Sequence, residues 1–384
     1  MLPFAPSLLP EIDVDWEALI PLLGPANRAL ANFNGILYGL QHPQIFLAPL
    51  TTQEAVLSSK IEGTQATLGE VLQFEAGAEP EQEWRRQDIQ EILNYRQALR
   101  TAQKELLTRP FNLNLLLELH SILLDSMRGQ GMGRGRFRTV QNWIGAAGCG
   151  VEQAQFIPPE PSRVAGCMHN WEQYYHSEAP DLLVQLAILH AQFEIVHPFL
   201  DGNGRLGRIA IPLFLFEKGL LSEPVFYLSA YLERHREEYV SRLRALGASR
   251  DGWNRWIEFF LIALTEQARA NLDTARGIMN LYARLKVQVI ELTHSQFAVP
   301  LLDALFEQPI FAASALFGRP GLPSKPVITN LLSKLRGAEI LTSLREASGR
   351  RAQMFAFPEL LDLCEGRPVA HREDGKTGRP EPTP

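Results

Sequence analysis

HPFLDGNGRLGR, from His197 to Arg208, is the stretch of this 384-residue chain on which the reading turns. The apolar run before it, Leu182 to Val196, reads as a buried helix opened by Asp181. Pro198 biases His197 away from the helical region, so the chain turns there, and Phe199 can anchor the loop in the core. Asp201-Gly202-Asn203-Gly204 supplies small residues that tolerate unusual dihedrals. A new helix is expected from about Gly204 to about Glu217, with the free N–H groups of its first turn pointing outward as an anion site. Arg205 and Arg208 stand three apart, a spacing that allows both to face one side. Two guanidinium forks beside an N–H nest describe a polyphosphate site. Asp201 at its rim suits Mg²⁺, which favours carboxylate and phosphate oxygens. His197 is placed to take a proton from an incoming hydroxyl. A histidine before proline, or Gly-Asn-Gly alone, is ordinarily just a loop; the combination in this order is what points to phosphate chemistry.

Working outward, the chain reads as mainly α. A Pro- and Leu-rich arm over 1–30 is expected to pack on the body, with a short helix near Trp16 to Leu23. Ile45 to Leu50, with Pro49 inside, reads as an apolar link, Thr52 to Lys60 as a helix stopped near Gly63, and Trp84 to Leu107 as a longer helix. Asn112 or Asn114 can cap the next helix, which runs toward Met127. The glycine-rich stretch Gly129 to Gly150 holds β-type pieces at Phe137 to Ile144 and Gln155 to Ile157, expected as a small hairpin. Helices follow from Ser162, over Leu232 to Leu246 and over Trp253 to Leu292.

The C-terminal part changes character. Val299 to Glu307, Ala312 to Phe317 and Pro326 to Arg336 are short helical patterns, and Leu341 to Arg345 and Ala352 to Phe357 read as strands around Ser348-Gly349. That is the order of a winged helix. Lys325, Lys334, Arg336, Arg345, Arg350 and Arg351 against Glu339 and Glu346 make this segment locally basic. Thr329, Asn330, Ser333 and Lys334 on the third helix, with Arg350 and Arg351 at the wing, are residue types that contact DNA. A winged helix used for dimerisation or as a protein adaptor is the alternative. The tail beyond Arg367 is nearly free of apolar residues and is expected to be disordered.

Composition sets the class. Lys plus Arg number 37 and Asp plus Glu 43, a net charge of −6, with 46% apolar and 21% charged residues. This is ordinary for a globular chain and unlike a disordered or nucleic-acid-coating one. Three scattered cysteines suit a reducing cytoplasm and offer no zinc spacing. No apolar run reaches the ~18 residues of a membrane span, and the N-terminus lacks a positive leader, so neither an anchor nor a signal peptide is expected.

The central stretch resembles the Fic motif, H-x-F-x-[DE]-G-N-G-R-x-x-R, with His197, Phe199, Asp201, Gly202, Asn203, Gly204, Arg205 and Arg208 all in place. The surrounding helices and hairpin, roughly 31 to 290, are similar to a Fic protein with its N-terminal extension. The resemblance implies a Fic-type helical bundle with a hairpin flap. In it, 1–110 would form the N-terminal extension, 111–292 the catalytic core, 296–366 the winged helix and 367–384 the tail. It further implies a nucleotidyltransferase that moves AMP from ATP onto a Ser, Thr or Tyr hydroxyl of a target protein or of itself. His197 would be the general base and Asp201 the Mg²⁺ ligand. The run Gly202, Asn203, Gly204, Arg205, Leu206, Gly207 and Arg208 would hold the phosphates. The flap would align the target by strand addition. Tyr227 to Tyr239 resembles the region that closes over the nucleoside, with His235 as a polar contact.

Ser58 to Gly63, SSKIEG, fits the family's inhibitory pattern [ST]-x-x-x-E-[GN]. The implied brake is electrostatic: Glu62 would occupy the Arg208 fork meant for the outer phosphate. Other readings stay open on these residues. His190, Glu194 and His197, at i, i+4 and i+7, would share a helix face as in a metallohydrolase, although Pro198 disfavours helical geometry there. A nucleotide-sensing, DNA-binding transcriptional regulator is the non-enzymatic alternative. Transfer of another nucleotide, or removal of AMP, is a further alternative within the family.

Overall fold

In the computed structural model, which describes residues 2–39, 43–126, 131–145, 148–246, 251–348 and 352–367, the centre is a pair of helices, Leu182–Val196 (α7) and Asn203–Glu217 (α8). Every α7 residue from Leu183 to Val196 is buried. A helix apolar on all sides is stable only when surrounded, and this one is. It packs on α8, on the preceding helix Pro161–His176 (α6) and on the later helix Gly252–Thr293 (α11). The indoles of Trp171 and Trp256 donate to its Leu189 and Ala187 carbonyls, each at 2.8 Å. Asp181 caps α7 through Leu183 and Val184 N–H, as its sequence position implied.

Around this pair the chain lays Trp16–Gly39 (α1), Pro43–Ile61 (α2), Leu68–Glu75 (α3), Glu83–Leu106 (α4) and Leu113–Leu123 (α5), the last capped by Asn112. Ser229–Arg234 (α9) and Arg236–Ala245 (α10) follow α8. Two expectations are corrected. The helix near Trp16 continues to Gly39, because Leu19, Ala26, Leu30, Phe33 and Leu37 form one apolar face buried against α11. The link at Ile45 to Leu50 is helical, with Pro49 inside α2. Pro49 removes one backbone donor, but burial of Leu47 and Leu50 and edge contacts of Phe46 with Tyr282 and Phe306 override that local penalty.

The expected hairpin reduces, among the described residues, to one antiparallel bridge between Ile144 and Phe156. The chain leads into this bridge through turns rather than a ladder, since glycines at 131, 133, 135 and 148 adopt positive φ.

The C-terminal unit runs Ala298–Glu307 (α12), Ile310–Ala312 (β1), a single 3₁₀ turn over Ala313–Leu316, Lys325–Gly337 (α13), Thr342–Arg345 (β2), Met354–Ala356 (β3) and Pro358–Glu365 (α14). Neither β1 nor α14 was expected, and the expected helix over Ala312 to Phe317 is a strand end followed by that turn. The sheet is antiparallel in the order β1-β3-β2, with Phe311 and Ser343 both opposite Phe355. Pairing with β3 is what makes a three-residue segment a strand, and no local pattern announces it. Several cations of this unit are engaged internally. Lys334 Nζ donates to the Leu292 and Thr293 carbonyls at the end of α11, and Arg336 pairs with Glu346 at 3.3 Å. Arg345 donates to Ala352 O, and Lys325 lies over the Phe317 ring. Gly349, Arg350 and Arg351, and the tail from 368 to 384, lie outside the described residues. No helix among the described residues is long and apolar enough to cross a membrane.

Candidate active site

The loop between α7 and α8 is built by its own motif. His197 ends α7 in the left-handed region at φ 47°, outside the right-handed helical region that the following proline disfavours. The Asn203 amide then clamps the loop, accepting from Phe199 N–H and donating to Phe199 O, both at 2.9 Å. Gly202 opens α8 at φ 80°, a conformation suited to glycine. The Phe199 ring is fully buried and stacks on His120, with centroids 3.8 Å apart.

Two residues that sequence reading missed hold this loop. Arg138 is buried, and its side chain donates to His197 O at 2.9 Å and to Pro159 O at 2.5 Å while its N–H donates to Pro198 O. His120 accepts from Gly135 N–H at Nδ1, which leaves Nε2 to donate to Asp201 O at 3.0 Å. Burial lowers the His120 pKa to about 4, in keeping with this neutral tautomer. The only local signal for Arg138 was its place in the cation-rich run Arg134 to Arg138. For His120 there was none, because a histidine on an apolar helix face reads as core.

Around this loop lies a cavity of about 340 Å³, bounded by the end of α2, the α7–α8 junction, α10 and the Ile144–Phe156 bridge. Among the residues facing it are Glu62, Glu194, His197, Gly204, Arg208, Arg236 and Tyr239. The Arg208 side chain is only 1% exposed. Its Nε donates to Ser58 Oγ at 2.8 Å, and Nη2 donates to Ser58 O at 2.9 Å and Glu62 Oε1 at 2.6 Å. Both ends of the SSKIEG segment therefore close on one guanidinium. Gly63, at φ 105°, ends α2 so that Glu62 turns inward. A Cβ on Gly204 would overlap Glu62 Oε1, so the carboxylate lies directly on the first turn of α8. Burial opposes the Glu62 charge, but Arg208 outweighs it, with Arg205 and His197 adding to the effect, and the pKa is lowered.

The motif residues do not all face the cavity. Arg205 points the other way, pairing with Glu91 at 2.9 Å and Asp201 at 3.3 Å, so the expected twin fork is a single fork at Arg208. Three residues along a helix rotate a side chain by ~300°, and the buried Glu91 carboxylate decides which way Arg205 turns. Leu206 is core, and Gly207 has no room for a side chain, since a Cβ there would stand 2.5 Å from Glu194 Oε1. Asn203 serves the loop through its side chain. His235 is not among the cavity-lining residues; it stacks on Tyr231 at 4.2 Å, while Arg236 and Tyr239 on the next turn face inward. Asp201 Oδ1 accepts from Gly202 N–H at 2.6 Å, and its side chain is 44% exposed.

His197 is the candidate acid–base group of the loop. Its Nδ1 lies 3.3 Å from Glu194 O, and burial brings its pKa down to about 4. The ring is then neutral at physiological pH and keeps Nε2 as an acceptor. His190 does not join it. Its ring nitrogens lie 3.3 Å from Gly207 O and 3.0 Å from Tyr239 Oη, and its pKa is lowered by burial to about 3. With His197 leaving the helix at positive φ and His190 committed in this way, the three-residue face of a metallohydrolase is not assembled. No metal-holding group of three His, Cys, Asp or Glu occurs among the described residues.

A helix N-terminus, a buried arginine fork and a neutral histidine thus meet around one loop. Residues 20–104 match the Fic/DOC family N-terminal model and residues 110–215 the Fic/DOC family model. Two stretches of the chain are thus similar to the Fic/DOC family. A probable protein adenylyltransferase of Aquifex aeolicus is 38% identical over 92 residues, 24% of this chain and 26% of the relative. The protein adenylyltransferase Fic-1 of Caenorhabditis elegans is 28% identical over 135 residues, 34% of this chain and 24% of the relative. The matches thus span about a quarter of those relatives' length. Among solved structures, a Fic family protein of Desulfovibrio desulfuricans superposes with a TM-score of 0.55 at 21% identity, covering 93% of this chain and 98% of that one. C. elegans Fic-1 gives 0.51 at 20%, covering 69% and 74%. At these identities the structural likeness speaks for the fold.

Proposed function

We propose that this Fic/DOC family chain is a protein adenylyltransferase held silent by its own Glu62. The observation that carries the reading is the salt bridge from Glu62 to Arg208, laid across the α8 N-terminus. In the released state the α8 N–H groups and Arg208 bind the triphosphate of ATP. A target hydroxyl attacks the α-phosphorus, His197 Nε2 takes its proton, and pyrophosphate leaves with the bonding electrons. Asp201, a partly exposed carboxylate next to the phosphate loop, fits Mg²⁺, which keeps several waters and takes one or two protein oxygens. Mg²⁺ would supply charge neutralisation on the phosphates. Arg205 acts as a positioning residue, fixing Asp201 and tying α8 to Glu91. Transfer to a site on the chain itself belongs to the same chemistry.

With Glu62 in place the fork is filled, and ATP either loses its outer contact or lies out of line. Misplacement alone costs orders of magnitude in rate. The deciding experiment compares AMP incorporation from α-labelled ATP and Mg²⁺ by the wild-type chain and Glu62→Gly. Label only in the variant, or at least tenfold more in it, is the expected result. Equal labelling removes the brake. No labelling in either while ATP binds points to a sensing role or another donor.

The acid limb of the reaction follows from His197. The neutral ring is the active form, so transfer by Glu62→Gly is expected to fall as pH drops through about 4 rather than near the ordinary 6.5. Removing Glu62 deletes a charge that raises the His197 pKa, so it moves this limb no higher. A limb near 6.5 in a pH–rate profile would contradict a buried base.

We read 296–366 as a winged helix on its element order. A DNA contact would rest on exposed Thr329 and Asn330 and on Lys325, which stays exposed although it lies over the Phe317 ring, since Lys334 and Arg336 hold partners within the fold. Salt-dependent binding to duplex DNA is its test.

A further inference from the structure

Two carboxyl groups, not one, flank Arg208 in the cavity. Glu62 reaches the guanidinium directly. Glu194, on the last turn of α7, lines the same cavity, with Oε1 pressed against Gly207 and without a hydrogen-bond partner. Its side chain is 10% exposed, and its only close ring nitrogen, His190 Nε2 at 4.0 Å, is occupied by Tyr239. A buried acid left with an unpartnered oxygen is costly unless it serves a second state.

That second state is set by the fate of Arg208. A guanidinium this buried is not stable without a counter-charge once Glu62 leaves. Glu54, the other acid near it, has both oxygens engaged, Oε1 by Ser229 Oγ and Tyr95 Oη and Oε2 by Ser229 N–H. Glu194 is the acid that is uncommitted. Resting on the adenylyltransferase reading, we propose that Glu194 is the reserve counter-charge of Arg208, so that a phosphate entering the released fork brings a proton with it onto the Glu194 carboxylate.

The groups facing Glu194 decide its charge in each state. They are Glu62 just past the end of α2, Arg208 on α8, Tyr239 on α10, and His190 and His197 on or at the end of its own helix α7, with Arg236 and Arg244 also lining the cavity. With Glu62 in place, burial raises the Glu194 pKa to about 8, Arg208 pulling it down and Glu62 pushing it up. The acid is then mostly neutral at pH 7. Removing Glu62 removes one push and leaves the pull of Arg208 unshared, so the Glu194 pKa falls and its ionised share near pH 7 grows. A phosphate on Arg208 restores the negative charge, and the carboxylate takes up one proton from solvent.

Two measurements on the full chain test this. In the first, Glu62→Gly/His197→Ala, which binds without turnover, is titrated calorimetrically with Mg-ATP near neutral pH in buffers of different ionisation enthalpy. Net proton uptake is expected, and its loss on adding Glu194→Gln, with ATP binding no weaker. Uptake unchanged by Glu194→Gln, or no uptake, overturns the proposal. In the second, no nucleotide is used. The protonated-carboxyl infrared band that Glu194→Gln removes is followed against pH in wild type and in Glu62→Gly. The band should titrate at lower pH in Glu62→Gly, and an equal or higher midpoint overturns the proposal. Absence of ATP binding would count against the adenylyltransferase reading alone, because the infrared midpoint does not depend on it.

Discussion

Replacing His197 with alanine in a Glu62→Gly chain is expected to lower AMP transfer by about 10²–10⁴-fold while leaving ATP binding and the loop intact. The separation follows from how the loop is held. Arg138 grips the His197 and Pro198 carbonyls, and Asn203 clamps both backbone groups of Phe199, so none of these bonds uses the imidazole. The left-handed backbone at His197 is no harder for alanine than for another non-glycine residue, to within about 1 kcal/mol. What is lost is the neutral acceptor at Nε2. Single-turnover labelling beside calorimetric ATP titration checks the split. Undiminished transfer would remove the base assignment, and lost ATP affinity would make His197 a shaping residue instead.

Arg208→Ala is expected to destabilise the chain and to erase the effect of Glu62→Gly. The side chain is 1% exposed and makes three hydrogen bonds onto the end of α2. Breaking a buried pair by removing one partner costs about 3–5 kcal/mol. The low end applies here, because Glu62 is 38% exposed and can turn into the cavity. A urea midpoint reads this directly. On the proposed function one fork serves both the brake and the outer phosphate, so Arg208→Ala and Glu62→Gly/Arg208→Ala should show the same low transfer. Such non-additivity is the signature of a shared partner. Activation by Glu62→Gly that persists without Arg208 would mean that the two functions use different groups.

These effects trace to residues of unequal visibility. The sequence alone determined the loop from His197 to Arg208 and the segment that closes on it. Pro198 turns the chain at His197, glycines open α8, and SSKIEG stands at the end of a helix; each is a local rule acting over a few residues. The all-apolar run of α7 likewise announced a surrounded helix, and so a mainly α bundle.

Only tertiary structure decided where the side chains went. Arg205 and Arg208 share a helix face on paper, yet Glu91 on α4 takes one and Ser58 and Glu62 on α2 take the other. Lys334 and Arg336 read as a surface for nucleic acid and are engaged by the end of α11 and by Glu346. The apolar link at Pro49 became helix, and Ile310–Ala312 became strand, because partners distant in sequence buried the one and paired the other. Arg138, His120 and Glu194 were illegible for the same reason. A charged or polar side chain acquires its role from the group it meets across the fold, and long-range electrostatic pairing leaves no periodicity in the chain that carries it.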